Sequence, residues 1–156
     1  IPSGGVIIVS AHFLLNILIS RWAHDHGRTF TPILVGDREP IYYAGSLVPL
    51  EPLYAGPLVI IQARREIREG AILFCDLDHT EANDRHHPID IPGGRRYVSP
   101  SLLKVAAHTR TPVVFAATYF DEHGRVTYTR PASDEPDAML GEFLAFFRTH
   151  AERVQR

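Results

Sequence analysis

The feature that most constrains the fold is a series of short apolar runs that alternate with segments of helical periodicity. The runs, rich in Val, Ile, Leu and Phe, occupy residues 6–9, 31–35, 71–75 and 112–118. Runs of this length with β-branched residues favour buried strands. The helical segments occupy residues 13–26, 99–108 and 136–156. Strands alternating with helices predict an α/β domain with a mostly parallel sheet and helices on both of its faces.

The remaining segments are less regular. Residues 36–57 contain four prolines and three glycines, which predicts an irregular connection that crosses the sheet edge. Residues 58–61 predict a strand that runs into a short helix. Residues 76–96 are polar and predict a loop, with a short strand at residues 88–91. Residues 125–129 alternate like the second arm of a hairpin, which would make the sheet mixed.

Length and composition indicate one globular domain. The chain has 156 residues and a net charge of −2, so its charge gives no indication of a nucleic-acid partner. Cys75 is the single cysteine, and its apolar surroundings predict a buried structural thiol. The longest apolar stretch, residues 6–19, is shorter and more polar than the about 20 apolar residues of a membrane span. We expect one soluble, cytoplasmic domain over residues 1–156, trimmed at its N-terminus or belonging to a longer protein.

Polar residues follow three of the predicted strands, at the carboxyl ends where α/β sheets collect functional groups. They are Ser10, His12, Asp76, Asp78, His79, Tyr119 and Asp121. His12 lies between a strand and a helix, where an imidazole with a pKa of about 6.5 can act as a general base on a hydroxyl. Such a base needs an oxygen that accepts a hydrogen bond from its second ring nitrogen. The alternative is a histidine satisfied by backbone groups at a strand end.

Several segments resemble the motifs of one enzyme family. Residues 5–17 form an apolar strand that ends in His12 and leads into a helix, and residues 68–78 form a glycine, an apolar strand and an aspartate. Residues 91–94 read Ile-Pro-Gly-Gly and precede a helix and a strand that begins with proline. In order and rough spacing, over residues 4–130, these segments resemble the lipid A late acyltransferases of lauroyl or myristoyl type, in the lysophospholipid acyltransferase superfamily.

The resemblance implies a glycerolipid-acyltransferase-like fold that moves an acyl group from a thioester to a hydroxyl or amine acceptor. The donor would be acyl-coenzyme A or an acyl carrier protein, and the domain would contact the inner face of the membrane peripherally. His12 would be the base, and Asp76 or Asp78 would orient it or an arginine. Five residues after the histidine, where the family has an acid, this chain has Ile17. A second hypothesis is therefore a non-catalytic binding domain on the same fold.

Three arginines are candidates for binding the phosphate groups of the donor. Arg38 is the single arginine of residues 36–57, a segment that has no clear match to the arginine-bearing segment of the family. Arg95 and Arg96 are adjacent, and their other interpretation is a solvated loop face.

Residues 72–80 also resemble the opening motif of haloacid dehalogenase-like phosphatases, an apolar strand followed by Asp-x-Asp-x-Thr. There Asp76 would be the nucleophile, and Asp76 and Asp78 would hold Mg²⁺. The rest of the chain fits that family poorly, because Lys104 is its single lysine. The loop at residues 79–90 is rich in His and carboxylates but lacks the spacing of a helical zinc site. We predict a solvated loop there and no bound metal.

Overall fold

The computed structural model describes residues 3–11, 17–34, 52–54, 56, 58–82, 84–119, 125–131 and 133–154. Along these ranges the elements are β1 (Val6–Ser10), α1 (Ile17–Asp25), β2 (Phe30–Leu34), β3 (Leu53–Tyr54), α2 (Val59–Arg68), β4 (Ile72–Asp76), β5 (Asp78–His79), β6 (His87–Ile91), β7 (Gly94–Val98), α3 (Ser101–Thr109), β8 (Val113–Tyr119), β9 (Arg125–Thr129) and α4 (Pro136–Val154). Strands and helices alternate as the sequence predicts, which confirms the α/β class.

In the described part of the chain there are two sheets, and the larger has six strands in the order β3-β2-β4-β1-β8-β9. β1 lies inside it, parallel to β4 on one side and to β8 on the other. β2 is parallel to both β3 and β4, whereas β9 pairs antiparallel with β8. The prediction of a mostly parallel, mixed sheet is therefore confirmed, including the antiparallel arm at its edge.

Side chains along β1 alternate between two apolar layers, one on each face of the sheet. Val6 and Ile8 pack with Ile19 of α1 on one face. Ile7 and Val9 pack on the opposite face, in a cluster to which α2, α3 and α4 all contribute buried side chains. All five residues of β1 are buried because helices cover both faces. The predicted two-sided packing is confirmed.

α4 closes the second layer with closely packed phenylalanines. Phe143 is 1% exposed and meets Phe115 of β8 edge-on, with the ring centroids 5.4 Å apart. Phe147 lies beside Phe143 and is also buried. The predicted amphipathic helix is confirmed over the residues that the structure describes. None of the described helices, α4 included, is long and apolar enough to cross a membrane.

The prediction of a strand at residues 58–61 is wrong, because this segment opens helix α2. The backbone N–H of Ile61 donates to the carbonyl of Leu58 at 3.1 Å, as in the first turn of a helix. β-branched residues lower helix propensity only slightly, and the Ala-, Arg- and Glu-containing stretch that follows favours a helix. Ile60 and Ile61 are exposed, whereas Ala63 is buried in the core.

The smaller sheet is antiparallel, with its strands in the order β5-β7-β6. The predicted strand at residues 88–91 is confirmed as part of β6. Residues 94–96, predicted to be part of a loop, instead form β7 together with residues 97 and 98. This sheet is anchored to the rest of the domain by Ile89 and Val98, which are buried in the cluster that contains α4.

The end of α2 lies against the start of β1. A Cβ on Gly5 would overlap the carbonyl oxygen of Ile67 and lie 2.7 Å from its carbonyl carbon, so only glycine fits without movement. Arg28 binds the same corner, since its guanidinium donates to the carbonyl of Gly4 at 2.7 Å and to that of Gly70 at 3.0 Å. These contacts fix α2, and the residues it contributes to the site, relative to the central strand.

Candidate functional site

Two of the predicted polar positions lie side by side at the carboxyl edge of the large sheet. Ser10 and Asp76 are register partners at the ends of β1 and β4. The chain on each side is held there, because the N–H of Leu77 donates to the carbonyl of Ser10 at 2.9 Å. Ala11, which follows Ser10, is fully buried. His12 is the next residue along the chain and lies outside the described residues, as do Arg38 and Asp121.

Ser10 has a structural role at this edge. Its side chain is fully buried, and its hydroxyl lies 2.8 Å from the carbonyl oxygen of Ala116, to which it donates. A hydroxyl has one proton to donate. In Ser10 that proton forms the bond that links β1 to β8, so it is not available for the activation of Ser10 as a nucleophile.

The main cavity opens beside Asp76. It has a volume of about 500 Å³ and lies between the carboxyl end of β4 and the starts of α2 and α3. Its apolar wall includes Ile33, Val59, Ala63, Leu102 and Val105. Its polar groups are Asp76, His79, Glu81, His86, Ser99 and Ser101. A mostly apolar cavity with a few converging polar groups is the usual form of a small-molecule site.

Two histidines that were predicted to be solvated help to line this cavity. His79 and His86 stack with their ring centroids 4.7 Å apart and their planes 19° from parallel. Both are partly buried, and Nδ1 of His86 is buried without a hydrogen-bond partner. The prediction of a solvated loop is therefore wrong at these two positions. Their spacing along the chain gives no signal for the pair, because the rings meet only through the tertiary fold.

The thiol of Cys75 is unreactive, although the residue borders the cavity. Burial, with a smaller contribution from the charges of Asp76 and Asp78, raises the pKa of the thiol to about 12. The thiol donates a hydrogen bond to the carbonyl of Asp76 at 3.3 Å. A thiol that stays protonated is a poor nucleophile. The residue is partly rather than fully buried, but it has the inert character that its apolar run predicts.

Asp78 does not share the cavity with Asp76. Shortly after β4 the chain forms β5, which pairs with β7 in the small sheet, and Asp78 lies opposite Val98 there. Its carboxylate is buried and lies 3.8 Å from Nε of Arg96. These two residues line a neighbouring hollow of about 430 Å³, which shares His79 and Glu81 with the main cavity. Asp78 and Arg96 therefore face each other, which favours a structural ion pair over a role beside Asp76.

The same arrangement bears on the magnesium-dependent alternative. The resemblance to haloacid dehalogenase-like phosphatases would place Asp76 and Asp78 on one cation, whereas Asp76 lines the main cavity and Asp78 lines the neighbouring hollow. Within the described ranges, no cluster of three or more His, Cys, Asp or Glu residues could hold a metal ion.

Arg95, on the surface of β7, forms an ion pair with Asp90. Its guanidinium donates two hydrogen bonds to the carboxylate of Asp90, at 2.8 and 3.1 Å, across the β6–β7 pair. This contact lowers the pKa of Asp90 and raises that of Arg95. A bidentate partner leaves Arg95 poorly placed to bind a phosphate, and the pair is exposed, so it adds little to stability.

Comparison with known proteins adds no relative to this picture. No model of a known protein family matches the chain. A search of the curated proteins likewise gives no match. The likeness to the acyltransferases rests on the residues and motifs of this chain alone.

Proposed function

We propose that this chain is an acyltransferase-type domain that transfers an acyl group from a thioester of coenzyme A or an acyl carrier protein to a hydroxyl or amine acceptor. The observation that carries the proposal is the cavity of about 500 Å³ at the carboxyl end of β4. Its wall is largely apolar, as an acyl chain requires, and Asp76 lies in that wall. His12 follows closely after Ser10, the register partner of Asp76.

The chemistry requires one proton acceptor and a polarised carbonyl. His12 would take the proton of the acceptor hydroxyl or amine, and the freed electron pair would attack the thioester carbonyl carbon. The carbon–sulfur bond then breaks, and the thiolate leaves with the proton returned from the imidazolium. Asp76 would hold the second ring nitrogen of His12.

The helix geometry around the cavity supports this reaction. α2 and α3 both begin at the cavity, through Val59 and Ser101. Helix N-termini carry partial positive charge, which stabilises the oxyanion that forms at the carbonyl during acyl transfer. The acyl donors are cytoplasmic molecules, so we place the domain in the cytoplasm at the inner face of the membrane.

A second candidate is a binding domain without catalysis, and Ile17 favours it. Ile17 is the first residue of α1, at the position where the acyltransferases have an acid. An alkyl side chain cannot accept a hydrogen bond from an imidazole, so His12 would lose the partner that fixes its tautomer. The apolar cavity would then bind an acyl chain without transferring it.

Thioester turnover and acyl binding, measured separately, test the proposal. With a panel of acyl-coenzyme A substrates and thiol release as the readout, we expect His12→Ala to lower turnover about 10²- to 10⁴-fold. Asp76→Asn should lower it comparably, whereas the exposed control Asp134→Asn should not. Turnover that is unchanged in His12→Ala would overturn the catalytic assignment.

Filling the cavity separates the two candidates. Val105→Trp adds bulk to the cavity wall, and Lys104→Trp on the exposed side of α3 is its control. The non-catalytic domain would be favoured by two results together: Val105→Trp abolishes acyl binding, and the unmodified protein shows no thioester turnover. Acyl binding that neither variant changes would contradict both candidates, because both place the chain in this cavity.

A further inference from the structure

The first turn of α2 exposes large apolar side chains to solvent. Leu58 is 64% exposed, Ile60 43% and Ile61 66%, and they are the large hydrophobic residues that stand out as exposed in the described part of the chain. They follow one another at one end of a helix, so they form a single patch. A grouped, rather than scattered, set of exposed apolar residues marks an interaction surface.

Arginines continue this surface along the same helix. Ile61, Arg64, Arg65 and Arg68 line one shallow groove of about 430 Å³ together with Glu69. Their spacing of three and four residues places them on one face of the helix. The side chain of Arg65 is 68% exposed, whereas its ion-pair partner Glu66, 3.4 Å away, is only 18% exposed. The solvent side of this groove is therefore mainly basic.

The apolar end of the surface adjoins the main cavity. Val59, Ile60 and Ala63 of α2 line that cavity, and Ile60 belongs to the exposed patch as well. An apolar molecule that reaches the patch is thus already at the edge of the cavity. We call Leu58, Ile60, Ile61, Arg64, Arg65 and Arg68 the α2 surface.

We propose that the α2 surface docks on an anionic lipid bilayer, with its apolar end among the acyl chains and its arginines at the headgroup phosphates. A bilayer presents hydrocarbon directly beneath a layer of negative charge, which matches the two ends of this surface. A second copy of the chain fits less well. A ten-residue helix is about 15 Å long and about 10 Å wide, and its outer face offers a fraction of the about 800 Å² per partner of a stable interface.

This docking is independent of catalysis, so vesicle binding tests it directly. The whole protein is sedimented with vesicles of phosphatidylcholine alone or mixed with phosphatidylglycerol, at low and high salt. We expect binding to the mixed vesicles that weakens with salt. The double variant Arg65→Ala/Arg68→Ala should bind about 30-fold more weakly, from about a fivefold loss per arginine. The matched control Arg21→Ala/Arg148→Ala removes the same charge from α1 and α4, and should bind as the unmodified protein does.

The apolar end is tested by Leu58→Ser/Ile61→Ser, which should reduce binding at least tenfold at either salt concentration. Both positions are exposed, so the circular dichroism spectrum and the urea midpoint should stay unchanged. Failure to bind mixed vesicles, or equal binding by the unmodified protein and both α2 variants, would overturn the proposal. So would a dimer in solution that Leu58→Ser/Ile61→Ser dissociates, or binding to an acidic carrier protein with none to vesicles. Thioester turnover lost without loss of vesicle binding would leave this proposal intact.

Discussion

Replacing Gly5 with alanine tests the fit between the central strand and α2. The added Cβ would overlap the carbonyl oxygen of Ile67, lie 2.7 Å from its carbonyl carbon and 2.8 Å from its Cγ2. Ordinary contact distances are 3.4–4 Å. The two nearest atoms, the carbonyl oxygen and carbon of Ile67, belong to the backbone and cannot rotate away as a side chain can. Overpacking of this kind costs about 1–3 kcal/mol, and for a chain of this size that lowers Tm by about 2–12 °C.

Gly4→Ala provides the matched control, because a Cβ on Gly4 would have nothing within 4 Å. We expect its free energy of unfolding to stay within about 0.5 kcal/mol of the unmodified protein. Urea unfolding, followed by circular dichroism, gives both values under one condition. If Gly5→Ala were as stable as Gly4→Ala, the close approach of β1 and α2 would be refuted.

Three further predictions concern the rest of the domain. Phe143→Ala should lower the free energy of unfolding by about 3–5 kcal/mol in urea titrations, because the ring is 1% exposed. Phe146 is only partly buried, so a loss in Phe143→Ala no larger than that in Phe146→Ala would contradict the packing. Arg110→Gly should raise stability by about 0.5–1 kcal/mol, because Arg110 ends α3 with φ at 53°, where glycine is unstrained; lower stability would argue against that conformation. Cys75 should react with thiol reagents at pH 8 only on unfolding, since a folded pKa of about 12 leaves about one thiolate in ten thousand. The unfolded thiol loses its proton near pH 9.0 and the folded one near 12, so the unfolded chain binds fewer protons and stability falls with rising pH across that window.

The centre of the large sheet could be predicted because its strands are largely buried. β1, β4 and β8 therefore read as continuous apolar runs. The sequence does not indicate β7 because only its last residue, Val98, is buried, and Gly94, Arg95 and Arg96 before it carry no apolar pattern. A signal for it is the Pro92-Gly93 pair, because Pro-Gly is typical of a type II turn, and Gly93 has a φ of 89° between the paired Ile91 and Gly94.

The site was predictable where strand ends decide it and unpredictable where tertiary contacts do. Asp76 lies in the cavity because it is the last residue of a buried strand. Asp78 satisfies the same sequence rule, yet it turns to Arg96 because the chain resumes pairing as β5. The stacking of His79 on His86 depends on where the loop before β6 returns, which no local pattern records.

The central position of β1 governs the order in which this chain can acquire structure. The strand nearest the N-terminus has both its neighbours far downstream, and the bond from Ser10 to Ala116 joins residues 106 apart in sequence. Such non-local pairing slows folding, because the loop must close before the contact compensates for the lost entropy. During synthesis β1 stays unpaired on both edges until β4 emerges, and open on one edge until β8 does. A chain interrupted before β8 would therefore present an apolar strand edge, the surface from which aggregation starts.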